Sequence, residues 1–239
     1  MGDKRSTRII RLARRDFFGA ATSAFVVARL GVGCDGDGPS VFTSLDVAPR
    51  PVSEPLAPLT PNDLFYTVSA SGPPPEGWDE AWHLSLLGLG LEGGLTLADI
   101  KAAAPHETFE HTLECIGNAP PGSAIGNAMW TGVRVAALLE GLGLQVPDEA
   151  AWLVMRCGDG YSTYLPVDDI DAGLALVWQM NGEPLPVAHG APLRMLTPGR
   201  YGMKNPKWLL EIEWLVEKPE GFWESFGWSE EARYKVHSW

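Results

Sequence analysis

Cys115 stands at the head of a loop rich in glycine, asparagine and proline, within the stretch LECIGN that begins at residue 113. A lone cysteine of this kind is either a small buried apolar side chain or a thiolate used for chemistry. Gly117 and Asn118 favour the second interpretation, because small and permissive residues let a bulky ligand approach the backbone closely. Such a thiolate would be a soft ligand, suited to a soft or high-valent metal.

A string of basic residues separated by turn residues lies between residues 189 and 207. Counting the histidine as a potential cation, its members are His189, Arg194, Arg200, Lys204 and Lys207. These basic residues could be ordinary solvated surface charges, or they could form a pocket for a multiply anionic ligand such as a phosphate-bearing cofactor. The clustering favours the pocket, since arginine can bind phosphate bidentately and lysine acts as a point charge.

Other kinds of site have little support. The chain has neither His-x-x-x-His nor Cys-x-x-Cys spacing, so a metal site made only of protein ligands is not predicted. No c-type haem signature is present, and any haem carrier of that kind is expected on another chain. The glycine-rich pieces lack the context of nucleotide-binding loops, and no nucleophile-elbow motif marks a serine hydrolase.

Short apolar runs between Gly and Pro turns predict the elements that position these residues. Thr96 is expected to cap a short helix that ends at Pro105, and a second helix is expected within residues 132–144. The run KWLLEIEWLVE from Lys207 fits a strand or a helix by pattern alone. We therefore predict an α+β fold with few helices and many short strands, in segments 81–89, 151–157, 161–167, 174–180 and 193–197.

Charge is distributed unevenly along the 239 residues. The first 34 residues carry seven Lys and Arg against two acids, which leaves 11 Lys and Arg against 28 Asp and Glu, a net charge of −17, for the remainder. So acidic a body disfavours nucleic acid and anionic lipid as partners, because a protein that binds phosphates needs cations to replace their counterions.

The basic head has the order of an export signal, with Arg14-Arg15-Asp16-Phe17-Phe18 followed by a short apolar run. Residues 1–34 therefore resemble a twin-arginine signal, which predicts an exported, periplasmic protein that crosses the membrane already folded. Lipidation at Cys34 is the alternative to simple cleavage nearby. Residues 35–61, rich in Asp and Pro, are predicted to be an extended linker.

The body resembles the molybdopterin-binding domain of the sulfite oxidase family, over the whole predicted domain 62–216. The resemblance rests on TPNDLFY, LECIGN, IGNAMWTGV, CGDGYSTYLPVDD and above all MNGEPLPVAHGAPLRMLTPGRYGMKNPKWLLEIEW. It implies the sulfite-oxidase-type α+β fold of mixed short sheets, and a molybdenum-molybdopterin cofactor. The export signal agrees with it, because bacterial members load molybdopterin before they leave the cytoplasm.

The resemblance also implies roles for individual residues. Cys115 corresponds to the thiolate ligand of molybdenum, beside the two dithiolene sulfurs of the pterin, and Tyr161 to the tyrosine on the metal's substrate side. The residues implied to bind or cover the cofactor are Asn62, Phe65, Tyr66, His189, Arg194, Lys204 and Lys207. The function implied is oxygen-atom transfer at molybdenum.

The chain departs from sulfite oxidases where that family places cations for sulfite. Phe65 and Tyr66 form the aromatic pair of the loop implied to cover the pterin, here called the covering loop, and they are followed by Thr67-Val68-Ser69. Asn118 is followed by Ala119-Pro120-Pro121. A dianion entering a dry pocket without paired cations meets a large desolvation cost. We therefore expect a small neutral or singly charged S- or N-oxide as substrate, with sulfite dehydrogenase, or a secreted binding protein without cofactor, as alternatives.

The C-terminal residues 217–239 are too few for the immunoglobulin-like dimerisation domain of sulfite oxidases, so a monomeric catalytic subunit is expected. The segment is rich in aromatic residues, which are Phe222, Trp223, Phe226, Trp228 and Trp239. It is interpreted as a packed tail or as a docking surface for an electron-transfer partner. A separate partner, either a cytochrome or a membrane haem or quinone subunit, is expected to exchange electrons with the enzyme.

Overall fold

A computed structural model describes residues 59–119 and 122–234, in which two short helices accompany ten strands. The helices are α1 (Leu97–Ala103) and α2 (Val135–Gly141). The strands are β1 (Leu84–Leu87), β2 (Gly94–Leu95), β3 (Glu107–Glu114), β4 (Ile125–Arg134), β5 (Trp152–Cys157), β6 (Ser162–Pro166), β7 (Ala175–Met180), β8 (Glu183–Pro184), β9 (Arg194–Leu196) and β10 (Leu209–Leu215). The predicted signal and nearly all of the predicted linker lie outside the described residues.

One sheet has the strand order β2-β1-β10-β5-β6, in which β1 and β10 pair in parallel and the other neighbours are antiparallel. Its apolar side chains form the larger core together with both helices. The run from Lys207, ambiguous in the sequence, becomes β10 because its backbone pairs with a strand on each side. Burying a strand between two partners satisfies its amides and carbonyls without helical hydrogen bonds.

The second sheet has the order β3-β4-β7-β8, and β9 also pairs with β7. β3 and β4 form a long antiparallel hairpin whose register runs from Glu107 opposite Gly132 to Glu114 opposite Ile125. Cys115 follows directly after β3, so the hairpin determines where the thiol lies. A smaller apolar cluster containing Phe65, Leu113 and Trp130 packs against this sheet.

The first helix begins where the sequence predicts. Thr96 and Asp99 form a reciprocal capping box, in which Asp99 N donates to Thr96 Oγ1 and Thr96 N donates to Asp99 Oδ2. The second predicted helix begins later than its apolar pattern, because Gly132 to Arg134 still belong to β4 and α2 starts at Val135. Mixed short sheets with two helices confirm the predicted α+β class.

Across the described residues, no helix combines the length and apolar character needed to cross a membrane.

Candidate cofactor and active site

One cleft, partly open to solvent, is bounded by residues of the second sheet, by loops that adjoin strands of the first sheet and by the C-terminal segment. Seven of the residues singled out in the sequence line it, although they are far apart along the chain: Phe65, Tyr66, Cys115, Tyr161, His189, Arg194 and Lys207.

Cys115 is held at the cleft by the backbone of its own loop. Its N–H donates to Ala124 O at 2.9 Å, and Asn118 N donates to Cys115 O at 3.0 Å. The Asn118 side chain closes the loop, accepting from Ala124 N and donating to Glu114. The thiol forms no disulfide, and burial raises its pKa. A partly buried thiol with a raised pKa is kept protonated until a metal replaces the proton.

Arg194, on β9, is buried and held in one orientation. Its two terminal nitrogens donate to His189 O at 3.0 Å and to Asn205 O at 2.9 Å, and its guanidinium lies 5.1 Å from the Trp130 ring centroid. Its Nε is buried and has no hydrogen-bond partner within the described chain. Burial lowers the pKa of Arg194 to about 10, which leaves the group charged at neutral pH.

Lys207 brings a second cation to the cleft. Its Nζ donates to Ala188 O at 3.0 Å and lies 4.2 Å from the Trp208 ring centroid. Burial, with a smaller contribution from Arg194, lowers the pKa of Lys207 to about 7. Among the described carboxylates, none forms an ion pair with Lys207 or Arg194. Two cations are thus gathered without an ion-paired carboxylate among the described residues.

Gly190 allows the two cations to converge. Its φ of +112° is a left-handed conformation, and a Cβ at this position would lie 3.0 Å from Lys207 Cβ and 3.1 Å from Arg194 Cβ. Trp208, with φ of 51°, is also left-handed, and its indole N–H donates to Val187 O at 2.7 Å. Backbone strain of this kind is retained where the surrounding structure fixes it.

His189 joins this region to the covering loop. Its Nε2 lies 2.9 Å from Asn62 O, and its ring meets the edge of Phe65 with centroids 5.6 Å apart. Burial lowers the pKa of His189 to about 4, so the imidazole is neutral at physiological pH. Phe65 stacks on Tyr66 and lies against Gly126, where an added Cβ would come within 2.7 Å of the ring.

Tyr161 lies between β5 and β6 of the first sheet, directly before β6 begins at Ser162. Its hydroxyl donates to Met203 O at 2.6 Å. Burial, with the nearby charge of Glu224, holds the pKa of Tyr161 well above its usual value. The side chain therefore presents a neutral oxygen to the cleft.

The structure does not bring two of the predicted residues to the cleft wall. Asn62 donates instead to Met180 O at 3.2 Å and supports His189 through its backbone carbonyl. Lys204 is completely buried, and its Nζ donates to Tyr164 O at 2.8 Å and forms an ion pair with Glu224. Its charge is neutralised inside the protein, which differs from the predicted role in binding the cofactor.

Four of the other lining residues contribute polar, charged or aromatic groups to the cleft, and the sequence did not mark them as site residues: Thr67, Asp159, Trp223 and Trp228. Thr67 directly follows the covering aromatic pair, and its Oγ1 is buried without a partner among the described residues. Asp159 lies in the turn just before Tyr161. The tryptophans belong to the C-terminal segment, whose position depends on tertiary contacts that no local pattern specifies.

The residues present fit a molybdenum-molybdopterin group. An unpaired sulfur, two cations without carboxylate partners and a buried unpartnered Arg194 Nε share one cleft. These are the donors required by a ligand with a soft metal and an anionic phosphate. Within the described residues, no group of three or more His, Cys, Asp or Glu side chains could hold a metal ion without such a group.

Comparison with known proteins gives matches over most of the described chain. Residues 71–223 match the family described as "Oxidoreductase molybdopterin binding domain". The Uncharacterized oxidoreductase YuiH of Bacillus subtilis is 35% identical over 149 residues, which cover 61% of this chain and 71% of that protein. The mitochondrial sulfite oxidase of Drosophila melanogaster is 32% identical over 188 residues, covering 69% of this chain but 32% of the relative.

Among solved structures, the sulfane dehydrogenase SoxCD from Paracoccus pantotrophus superposes with a TM-score of 0.61. The superposition covers 89% of this chain and 60% of that one, at 20% sequence identity. At this identity the likeness concerns the fold alone.

Proposed function

Because the chain belongs to the family of oxidoreductase molybdopterin-binding domains and is a molybdenum-molybdopterin oxidoreductase of the sulfite oxidase family, we propose that it is an exported enzyme with Cys115 as its ligand to molybdenum. We propose oxygen-atom transfer with a small neutral or singly charged S- or N-oxide as its reaction. The observation that carries the proposal is the meeting, in one cleft, of an unpaired thiol with Arg194 and Lys207, both without carboxylate partners.

Each residue has a part in holding the cofactor. Arg194 and Lys207 supply positive charge for its phosphate. The buried Arg194 Nε has no hydrogen-bond acceptor among the described residues and can donate to the phosphate. Phe65, with Tyr66, covers the cleft, and the neutral imidazole of His189 packs against Phe65. Cys115 gives up its thiol proton when its sulfur binds the metal.

When bound, the cofactor supplies a two-electron redox centre competent for oxygen-atom exchange with the substrate. In the reducing direction, an S-oxide takes up two electrons and two protons and leaves as the sulfide and water. Those electrons come from a separate electron-transfer partner. On the substrate side, Tyr161 stays protonated and its hydroxyl donates a hydrogen bond to Met203 O, so its oxygen offers a neutral hydrogen-bond acceptor.

The charge of the cleft supports a substrate without a double negative charge. Of the described residues that line it, Asp159, Arg194 and the protonated fraction of Lys207 can carry charge near neutral pH, and the two basic groups belong to the proposed phosphate site. The covering loop contributes Thr67, Val68 and Ser69, none of them basic. A sulfite dianion would therefore lose its hydration without gaining paired cations.

The proposal is tested on protein produced in a host that makes molybdopterin. We expect near-stoichiometric molybdenum in the wild type and loss of activity in Cys115→Ser. Cys157→Ala is the matched control, because Cys157 is also a free cysteine but is buried in the core and does not line the cleft. A metal-free wild type, or a Cys115→Ser enzyme with full activity, would refute the assignment.

The substrate class is tested by assaying the same preparation with artificial electron carriers. Reduction of sulfoxides or N-oxides is expected, with little oxidation of sulfite. A preparation that oxidises sulfite efficiently and reduces none of the oxides would instead identify a sulfite dehydrogenase.

A further inference from the structure

The segment Phe222–Trp228, here called the aromatic strap, forms part of the cleft wall. Trp223 and Trp228 line the cleft, and the strap turns between them so that Trp228 N donates to Trp223 O at 3.3 Å. Gly227, with φ of +87°, ends the short helical turn at its centre. Two indoles thus reach the cleft from a segment that follows the last strand of the fold.

The strap is joined to the wall that carries Tyr161. Phe222 N donates to Ser162 O at 2.8 Å, and the Phe222 and Tyr161 ring centroids lie 5.8 Å apart. Phe222 and Trp223 meet edge to face at 5.0 Å, which continues the aromatic surface from Tyr161 into the strap. On the proposed function, Tyr161 faces the substrate, so the strap borders the same part of the cleft.

A buried ion pair fixes the strap in this position. Glu224 pairs with Lys204, and the two side chains are 3% and 0% exposed. Thr163 Oγ1 also donates to Glu224, at 2.7 Å, and Lys204 Nζ donates to Tyr164 O. Removing one member of a buried pair leaves an uncompensated charge, so the pair holds the strap strongly against β6.

The strap brings no uncompensated charge to the cleft. Glu224 is its only ionisable residue and is neutralised by Lys204. Indole faces interact favourably with apolar and aromatic groups, through area buried and through offset or edge contacts. The wall therefore suits an uncharged organic group far better than a small hydrated anion.

We propose that the aromatic strap binds the organic substituent of the substrate, which makes the preferred substrate a neutral sulfoxide or N-oxide carrying an apolar or aryl group. This inference rests on the proposed function and deepens it. Lys204, and with it Glu224, acts as a positioning residue that holds the two indoles at the cleft.

The first test compares turnover of methyl phenyl sulfoxide and dimethyl sulfoxide in Trp223→Leu and Trp228→Leu, which keep apolar volume. We expect kcat/KM for the aryl substrate to fall about tenfold, through KM, while that for dimethyl sulfoxide changes less than twofold. Phe226→Ala is the matched control, because Phe226 lies in the strap but is 58% exposed and does not line the cleft.

A second test needs no turnover. Methyl phenyl sulfone, a neutral aryl analogue, should bind to the molybdenum-loaded wild type with a Kd measurable by calorimetry, about tenfold weaker in either Leu variant and unchanged in Phe226→Ala. Strap-dependent binding of the sulfone without turnover of any oxide would support the strap while refuting the proposed reaction. Equal losses for both sulfoxides, together with unaltered sulfone binding in both Leu variants, would overturn the strap and leave the reaction standing.

The positioning role is tested with Lys204→Met/Glu224→Gln, which replaces the buried pair by neutral side chains. We expect a raised KM for the aryl sulfoxide with kcat and molybdenum content close to the wild type. An unchanged ratio of KM values for the two sulfoxides would contradict the role of the pair.

Discussion

At the scale of single residues, Lys207 shows how the site is prepared for an anion. The pKa of its ammonium is lowered to about 7, first by burial and then by Arg194, while Asp159 and Cys157 act in the opposite sense. The cofactor-free protein therefore holds a cation that is costly to keep charged. A phosphate placed beside it would stabilise the ammonium form, so Lys207 itself should take up a proton when the cofactor binds near neutral pH.

The same residue predicts a pH dependence of stability for cofactor-free protein. Between pH 7 and 9 the unfolded chain keeps the Lys207 proton and the folded chain releases it, so the free energy of unfolding should rise with pH. This contribution is lost as pH falls through about 7. Urea unfolding across this range should show the rise in wild type and a flatter profile in Lys207→Met, and identical slopes would contradict the assignment.

Residue types and spacing were sufficient to single out part of the cleft lining. Cys115, His189, Arg194 and Lys207 were singled out from type and spacing, and the structure places all four at one cleft. Lys204 belonged to the same basic string and has similar chemistry, yet it is paired with Glu224 in the interior. The difference depends on a contact across 20 residues, which no local pattern reports.

At the scale of elements, the tight loop around Gly190 determines how closely the two cations approach. Gly190→Ala should lose cofactor severalfold, because the added Cβ crowds Lys207 and Arg194. Gly143→Ala is the matched control, since Gly143 is also left-handed, with φ of +66°, but has open space around it.

Both glycine variants should lose about 1 kcal/mol of unfolding free energy from the left-handed backbone. Only the first should lose molybdenum, measured by metal analysis of purified protein. Equal molybdenum contents in the two variants would show that crowding at Gly190 is unimportant.

Elements with strong local signals were predicted from the sequence, and those decided by distant partners were not. Thr96 predicted the start of α1, because capping is a local interaction. The run from Lys207 remained ambiguous, because its pairing with β1 and β5 joins segments more than 50 residues apart. The hairpin of β3 and β4 was likewise not recognised, although it determines the place of Cys115.

At the scale of the whole molecule, the acidic body contrasts with the cations gathered in its cleft. Lys and Arg total 18 against 30 Asp and Glu, yet two cations in the cleft have no carboxylate partner among the described residues. Placing them together is unfavourable unless an anion compensates them. This contrast supports a permanently bound anionic cofactor within an otherwise acidic protein.

Export of the loaded enzyme is the prediction that concerns the chain as a whole. The segment with Arg14 and Arg15 lies outside the described residues, and the proposal rests on its sequence. Arg14→Lys/Arg15→Lys should retain the protein in the cytoplasm with its molybdenum bound, as measured by cell fractionation and metal analysis. A variant exported at the wild-type level would contradict a twin-arginine route.

The central claim is that Cys115 ligates molybdenum, and X-ray absorption at the molybdenum edge tests it most directly. The wild type should show one sulfur ligand more than Cys115→Ser, whose remaining sulfurs come from the pterin dithiolene. Cys157→Ala should match the wild type. An unchanged number of molybdenum–sulfur bonds in Cys115→Ser would contradict the account.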